Sequence, residues 1–358
     1  MKINTIMLEI TDNCNLNCTH CMNRPDSQKI ETSPDKIDGL FSRFMQHEVD
    51  KIYLSGGEPL VHRSIYDIIQ LCKKYDKFSF VLTTNGLLLT EEIMHAIEDQ
   101  GNVTLQFSVD GVTKDTYEFL RGKNTFDTFM SKLKIWDNSS LRQGLARTCV
   151  TKKNFKEIPA IYRFCLEHRL FPSFTFVGRL GNSVTNWQQL ELNVAQKIWC
   201  IDIINKLNDQ YRLNVSPPEA PATCNFTLHT GVSSLLIRVD GRVAPCQYFY
   251  DDSLGNIYKD EIEDIFHSAW IDEHCELAAR RKKELLNSSR CKSCKIRAGC
   301  GLGCMGLANN LGDVMGYDGL CDFRIKTTIC YSNRLITANS NTQRSNAIKA
   351  IELEDCII

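Results

Sequence analysis

Between residues 5 and 177 the chain repeats one pattern six times: a short β-rich run, then a segment with apolar residues at helical spacing. The β-rich runs are 5–11, 51–55, 78–84, 103–109, 145–150 and 173–177. The amphipathic segments are 34–46, 64–75, 91–99, 126–136 and 155–168, with 194–208 after the sixth run. Parallel strands need a connection long enough to return to the same edge, so this order predicts a parallel sheet covered by helices. Six βα units fall short of the eight that close a barrel. The expected fold class is therefore α/β, a partial (β/α)6 barrel, with ligands at the carboxyl ends of its strands.

Pro217, Pro218 and Pro221 break the pattern. Proline in this density reads as a linker, so we expect a barrel over 1–210, a second domain over 211–330 and an unassigned tail over 331–358. Asp240-Gly241, between apolar runs at 233–239 and 243–245, predicts a β-hairpin. Helices are expected over 262–270 and 273–286. From 290 to 322 the chain is rich in Cys and Gly and lacks periodicity, so it needs staples, for which metal is the natural candidate.

The chain has 358 residues, 43% of them hydrophobic, enough for a large buried core. Its net charge of −1 offers nothing to nucleic acid. The apolar run at the N-terminus is short and interrupted by Glu9, unlike a signal peptide, and no stretch has the length of a membrane span. A cytoplasmic location is expected. Seventeen cysteines are the anomaly, and they cluster at 14–21 and 291–304. Without a secretory signal, metal or redox chemistry explains them better than disulfides.

Cys14-x3-Cys18-x2-Cys21 follows the first predicted strand, at the mouth of the sheet. Three thiolates can ligate three irons of a [4Fe–4S] cube and leave the fourth open, where four cysteines would make an electron carrier. The spacing alone leaves a zinc site completed by His20 as an alternative. The second strand ends in Gly56-Gly57-Glu58-Pro59, where two glycines let a backbone approach a ligand closely. The two elements together are far more specific than either alone.

Further segments follow in order: Thr84-Asn85-Gly86, Ser108-Val109-Asp110-Gly111, Arg121-Gly122 with Phe126 four residues on, and Gly178-Arg179-Leu180-Gly181. With the cysteine triad they resemble the radical S-adenosylmethionine (SAM) superfamily from residue 5 to about 178. The resemblance implies a SAM-binding [4Fe–4S] cluster on Cys14, Cys18 and Cys21. It implies SAM contacts from Gly56, Gly57, Glu58, Pro59 and Asn85, and from Ser108 and Asp110 near the ribose and carboxylate. An Arg121 fork would suit the SAM carboxylate. The structural alternatives are a capped turn for Ser108 and Asp110 and a solvated helix end for Arg121. His20 stands where many members carry an aromatic residue, which leaves its role open between surface, packing and adenine contact.

Cys291-x2-Cys294-x5-Cys300-x3-Cys304 is followed by Cys321 and preceded by Cys224 and Gly241-x4-Cys246. A zinc ribbon is the alternative, but the set exceeds one zinc site. The array resembles the SPASM extension of radical SAM enzymes over about 224–325, as do Asp240 to Cys246 and Gly255-Asn256-Ile257. That resemblance implies two auxiliary clusters: one on Cys291, Cys294, Cys300 and Cys321, the other on Cys224, Cys246 and Cys304. The second set lacks a fourth cysteine, leaving an open iron or a ligand such as Glu219 or His229. Cys72 and Cys165 on helices and Cys149 on a strand are expected to pack as small hydrophobes. Cys200, Cys275, Cys330 and Cys356 are unassigned, and any of these seven is a candidate hydrogen donor.

Within the resemblance, a SAM-derived 5′-deoxyadenosyl radical would abstract hydrogen from a substrate. The expected substrate is a residue of a ribosomally made peptide or protein. The alternatives are a small-molecule dehydrogenase or epimerase and, more distantly, a non-catalytic iron–sulfur or zinc protein. Gln247 follows Cys246 where sulfatase-maturing relatives use an acid, which argues against formylglycine formation unless Asp251 or Asp252 substitutes. The triad begins at residue 14, so either a separate leader-peptide-binding protein is a partner or none is used; a flavodoxin- or ferredoxin-type electron donor is expected.

Overall fold

Residues 4–22, 29–218 and 234–328 are described by the structure, a computed structural model. Six parallel strands organise it: β1 (Thr5–Thr11), β2 (Lys51–Gly56), β3 (Ser79–Thr84), β4 (Val103–Ser108), β5 (Gly144–Val150) and β6 (Leu170–Phe176). Each pairs with the next in parallel register, so the sheet runs in chain order from β1 to β6. All six lie within a few residues of the expected runs. The expected open α/β architecture is what forms.

Helices α1 (Pro34–Phe44), α2 (Ile65–Lys74), α3 (Glu91–Glu98), α4 (Lys114–Arg121), α5 (Phe126–Asp137) and α6 (Ile158–Glu167) cover the outer face. Their buried stripes show why: α1 buries Ile37, Leu40, Phe41 and Phe44, and α2 buries Ile65, Ile68, Ile69 and Cys72, both at i, i+3, i+4, i+7. These meet buried strand residues such as Leu54, Phe80 and Leu105 in one continuous core. The other face of the sheet is different. Along β4, buried Val103, Leu105 and Phe107 alternate with half-buried Thr104, Gln106 and Ser108. The concave side is thus polar and open, which is where a ligand fits.

Two short helices, α7 (Asn182–Thr185) and α8 (Trp187–Leu190), follow β6, and then α9 (Val194–Tyr211) begins with a capping box between Asn193 and Gln196. The sequence reading missed α4. Only Tyr117 and Leu120 are buried among its eight residues, so its apolar pattern is thin.

The predicted hairpin forms as β7 (Ser234–Ile237) and β8 (Val243–Ala244), turning at Gly241 with φ of 86°. What the hairpin does was not foreseen: β7 pairs in parallel with β1, Thr5 to Ser234 through Leu8 to Ile237. The cysteine-rich part is therefore built onto the exposed edge of the barrel sheet, removing an edge that would otherwise invite pairing with another chain. Beyond it lie α10 (Ile262–Phe266), α11 (Ala269–Asn287), α12 (Ser289–Lys292) and α13 (Met305–Asn310), and residues 321–328 are helical. The single helix expected over 262–270 is two, because Ser268 is extended and starts α11.

Cys72, Cys165 and Cys200 are fully buried in the core. Cys149 on β5 is partly buried and packs against a smaller apolar cluster of Leu120, Val177 and Leu190. Cys224, Glu219, His229, Cys330, Cys356 and the 331–358 tail lie outside the described residues. Among the described residues no helix is long and apolar enough to cross a membrane.

Candidate active site

The loop after β1 carries Cys14, Cys18 and Cys21, and four neighbouring elements hold it. From β2, the Gly57 and Glu58 amides donate to the Thr11 and Asn13 carbonyls at 2.8 and 2.9 Å. This approach needs glycine: a Cβ on Gly56 would lie 2.0 Å from the Thr11 oxygen, and one on Gly57 2.2 Å from the Asn13 oxygen. From β3, Asn85 Nδ2 donates to Asn15 Oδ1 at 2.8 Å. At the end of α4, the Leu120 and Phe119 carbonyls accept from the Thr19 amide and hydroxyl at 2.9 and 2.8 Å. From α7, the Asn182 amide donates to the Cys21 carbonyl at 3.0 Å, and its side chain donates to Asn17 Oδ1 and the Cys18 carbonyl at 2.6 and 3.0 Å.

The loop faces a cleft of about 440 Å³. Cys14, Cys18 and Cys21 line it together with Gly56, Gly57, Asp12, Glu9 and Tyr250. Burial pushes the Cys14 thiol up to about 12 and raises Cys18 as well, although Arg121 opposes the latter. A thiolate here thus requires a cationic partner, which iron would supply. Among the described residues no three His, Cys, Asp or Glu side chains converge on a single ion. Three thiols from one loop lining one cleft can serve a cube in which each of three irons takes one thiolate. The donor set and the glycine cradle therefore fit a cluster with three protein ligands.

Glu58 and Asn85 stand behind the wall rather than on it. The buried Glu58 carboxylate accepts from Thr84 Oγ1 at 2.7 Å and from the Asn85 and Leu60 amides at 2.7 and 3.1 Å, stitching β2 to β3. Pro59 opens the short turn that follows. Ser108 ends β4 on the polar side.

Asp110 is fully buried and its oxygens are taken. Arg121 donates from Nε at 2.6 Å and also from Nη2, His20 Nε2 lies 3.0 Å away, and the Cys149 amide donates at 2.7 Å. Burial raises the Asp110 pKa, but Arg121 and His20 outweigh it and hold the carboxyl well below the usual range. Arg121 is no solvated helix end: its side chain is 12% exposed, and Nη1 lies 3.8 Å from the Cys18 sulfur. His20 is buried with it and is not a surface residue.

The C-terminal cysteines divide between two neighbourhoods. Arg324 lies beside Cys300 and Cys321, and Tyr317 Oη is 3.8 Å from Cys291 Sγ. Tyr248 lies beside Cys246 and Cys304: burial, then these two thiols, raise its pKa.

Comparison with known proteins agrees with this geometry. Residues 8–165 match the Radical SAM superfamily, and residues 224–295 match an iron–sulfur cluster-binding domain, SPASM. The chain belongs to the radical SAM superfamily. It is 24% identical over 313 residues to the mycofactocin maturase MftC of Mycolicibacterium smegmatis, covering 83% of this chain and 76% of that one. It is 25% identical over 309 residues to the subtilosin biosynthesis protein AlbA of Bacillus subtilis, covering 82% and 66%. Other relatives include the AdoMet-dependent heme synthase of Methanosarcina barkeri, 25% identical over 89% of this chain and 96% of that one. They also include a GTP 3′,8-cyclase of Limosilactobacillus fermentum, 28% identical over 51% of this chain and 57% of that one. Streptococcus suis SuiB bound to S-adenosylmethionine shares the fold, with a TM-score of 0.70 at 15% identity over 89% of this chain and 77% of SuiB.

This radical SAM enzyme thus takes [4Fe–4S] clusters and SAM as cofactors, and its cleft includes two residues the sequence reading did not single out. Glu9 on β1 is 5% exposed, and its carboxylate accepts from Tyr250 Oη at 3.1 Å. The Arg238 guanidinium lies 3.9 Å over the Tyr250 ring. Tyr250 also lines a second cavity of about 550 Å³, with Gln247, Asp251, Asp252, Asn309 and Asn310. Tyr250 thus lines both the cleft beside the cysteine triad and this second cavity. An acid inside a strand buried on both faces was the available signal for Glu9; nothing in the sequence marks Tyr250.

Proposed function

We propose that this radical SAM enzyme is a maturase acting on a residue of a ribosomally made peptide or protein, by crosslinking, epimerisation or oxidation. The observation that supports this reading is the position of Tyr250, which lines both the cleft beside the cysteine triad and a second, polar cavity. The names of MftC and AlbA support the same reading.

In this reading Cys14, Cys18 and Cys21 hold the SAM-binding cluster. When bound, cluster and SAM together supply a 5′-deoxyadenosyl radical. Gly56 and Gly57 present backbone to SAM, while Glu58, Pro59 and Asn85 brace that backbone from behind. Ser108 faces the ligand from β4. The Asp110–Arg121 pair sets the charge beside Cys18 and keeps water from the thiolate. Cys291, Cys294, Cys300 and Cys321 hold one auxiliary cluster, and Cys224, Cys246 and Cys304 a second. A flavodoxin- or ferredoxin-type protein delivers electrons. The barrel occupies 1–210 and the SPASM domain 211–330, joined through β7.

A second reading, a small-molecule radical enzyme, is favoured by the heme synthase and GTP cyclase relatives. The deciding experiment is anaerobic reconstitution with iron and sulfide, incubation with SAM and dithionite, and mass spectrometry for 5′-deoxyadenosine. Wild type should form the nucleoside, and C14A/C18A/C21A should not. An iron-loaded wild type that forms none, with reduction of its cluster confirmed by EPR, overturns the assignment. Candidate peptides that raise the rate select the maturase; small molecules that do so select the alternative.

A further inference from the structure

Between the two groups of auxiliary cysteines lies a buried ion pair that no part of the reading above uses. Arg324 donates from Nη1 to Asp318 Oδ2 at 2.7 Å and from Nη2 to Asp318 Oδ1 at 2.5 Å, a two-pronged contact. The side chains are 9% and 0% exposed. Each end also touches a cysteine. Arg324 Nη2 lies 3.9 Å from Cys321 Sγ, and Asp318 Oδ2 accepts the Cys304 backbone amide at 3.0 Å. Gly303 makes room for it: at φ of 74°, a Cβ there would lie 2.1 Å from Asp318 Oδ2 and 2.5 Å from Arg324 Nη2.

We propose that the Asp318–Arg324 pair holds the two auxiliary clusters at different reduction potentials, its cationic end beside the Cys321 cluster and its anionic end beside the Cys304 ligand of the other. This rests on the cluster assignment proposed above. The reduction potential of an iron–sulfur cluster is set by net charge, by hydrogen bonds to its sulfurs and by solvent exposure. A guanidinium is charged at every relevant pH, and a buried charge is little screened by salt. Reduction adds negative charge, so an N–H donor and positive charge beside Cys321 make that cluster easier to reduce. A carboxylate on the Cys304 side makes the other harder to reduce. The pair therefore acts as an oriented dipole that gives electron flow between the clusters a direction. Arg324 and Asp318 act through the cysteines, as positioning residues. A buried ion pair is weak evidence for a stabilising role.

The test requires no substrate. C14A/C18A/C21A, reconstituted anaerobically, carries the auxiliary clusters alone, and a potentiometric titration followed by EPR reads their midpoints. A C321S substitution in that background marks the signal of the Cys321 cluster. Two midpoints are expected, with the Cys321 signal appearing at the less negative potential. R324Q should move that signal to more negative potential, and D318N should move the other to less negative potential. R324K, which keeps the charge, should restore most of the Cys321 midpoint. Coincident midpoints, the reverse order, or an unchanged midpoint in fully iron-loaded R324Q overturn the proposal. If R324Q loses its iron, the order of the two midpoints without it decides. Failure of C14A/C18A/C21A to hold any cluster sinks the auxiliary-cluster reading itself, a result distinct from coincident midpoints.

Discussion

The Tyr250 hydroxyl donates to the Glu9 carboxylate at 3.1 Å, tying the first barrel strand to the segment that follows Cys246. These residues are 241 apart in sequence. They meet because β7 extends the barrel sheet beside β1, which brings the following turn over the mouth of the cleft.

The pH behaviour of Glu9 follows from its burial. Desolvation pushes its pKa from 4.5 to about 7, against the opposing pull of Arg238 and the Tyr250 hydroxyl, while Asp240 and Asp12 add to the rise. The folded protein binds this proton more tightly than the unfolded chain. The stability that depends on it is full below about 4.5 and is lost as pH rises to about 7. E9Q should therefore be relatively more stable at pH 8 than at pH 4, by at most about 3 kcal/mol. Urea unfolding of wild type and E9Q across that range checks it; parallel curves would refute it.

Substituting Gly57 should damage the cysteine loop specifically. A methyl group at that position lies 2.2 Å from the Asn13 carbonyl, so G57A must push the loop away at a cost of roughly 1–3 kcal/mol. Reduced iron uptake and weaker SAM binding by calorimetry are expected. Gly39 is the control: it is exposed in the middle of α1 with nothing within 4 Å, so G39A should stabilise by about 0.5–1 kcal/mol and leave iron content unchanged.

Removing one partner of the Asp110–Arg121 pair leaves a buried charge uncompensated. D110N should cost about 3–5 kcal/mol. The D110N/R121M double variant should lose less than the sum of its single variants, because the orphaned guanidinium is gone as well. Chemical denaturation of the four proteins completes the cycle, and strict additivity would show that the pair is not energetically coupled.

Asn182 ties α7 to the loop through its side chain, at Asn17 and the Cys18 carbonyl. N182A should retain the fold at a cost of about 1–2 kcal/mol. The loop carrying Cys18 should open more often, so reconstituted N182A is expected to release iron to a chelator faster than wild type. Equal release rates would mean that the other three attachments suffice.

Much of the barrel is visible in the order of residues. Period-two runs separated by amphipathic segments leave few alternatives, and all six parallel strands formed where that pattern lies. The same logic fails where local signals are weak. Helix α4 was missed because it buries two apolar residues, yet its last turn carries Arg121 and anchors the cysteine loop at Thr19. Glu9 was visible only as a charge interrupting an apolar run.

The sequence by itself determined the chemistry. Three cysteines at spacings of four and three, followed in order by the glycine pair, the Asp110 turn and Arg121, belong together only in one kind of site, and local spacing is something a linear chain encodes directly. Only the tertiary structure decided how those groups are used. Whether Arg121 faces solvent or Asp110 and whether Tyr250 reaches Glu9 depend on contacts between residues tens to hundreds of positions apart. Such contacts are set by how strands and helices bury their apolar faces together, and no local pattern records them.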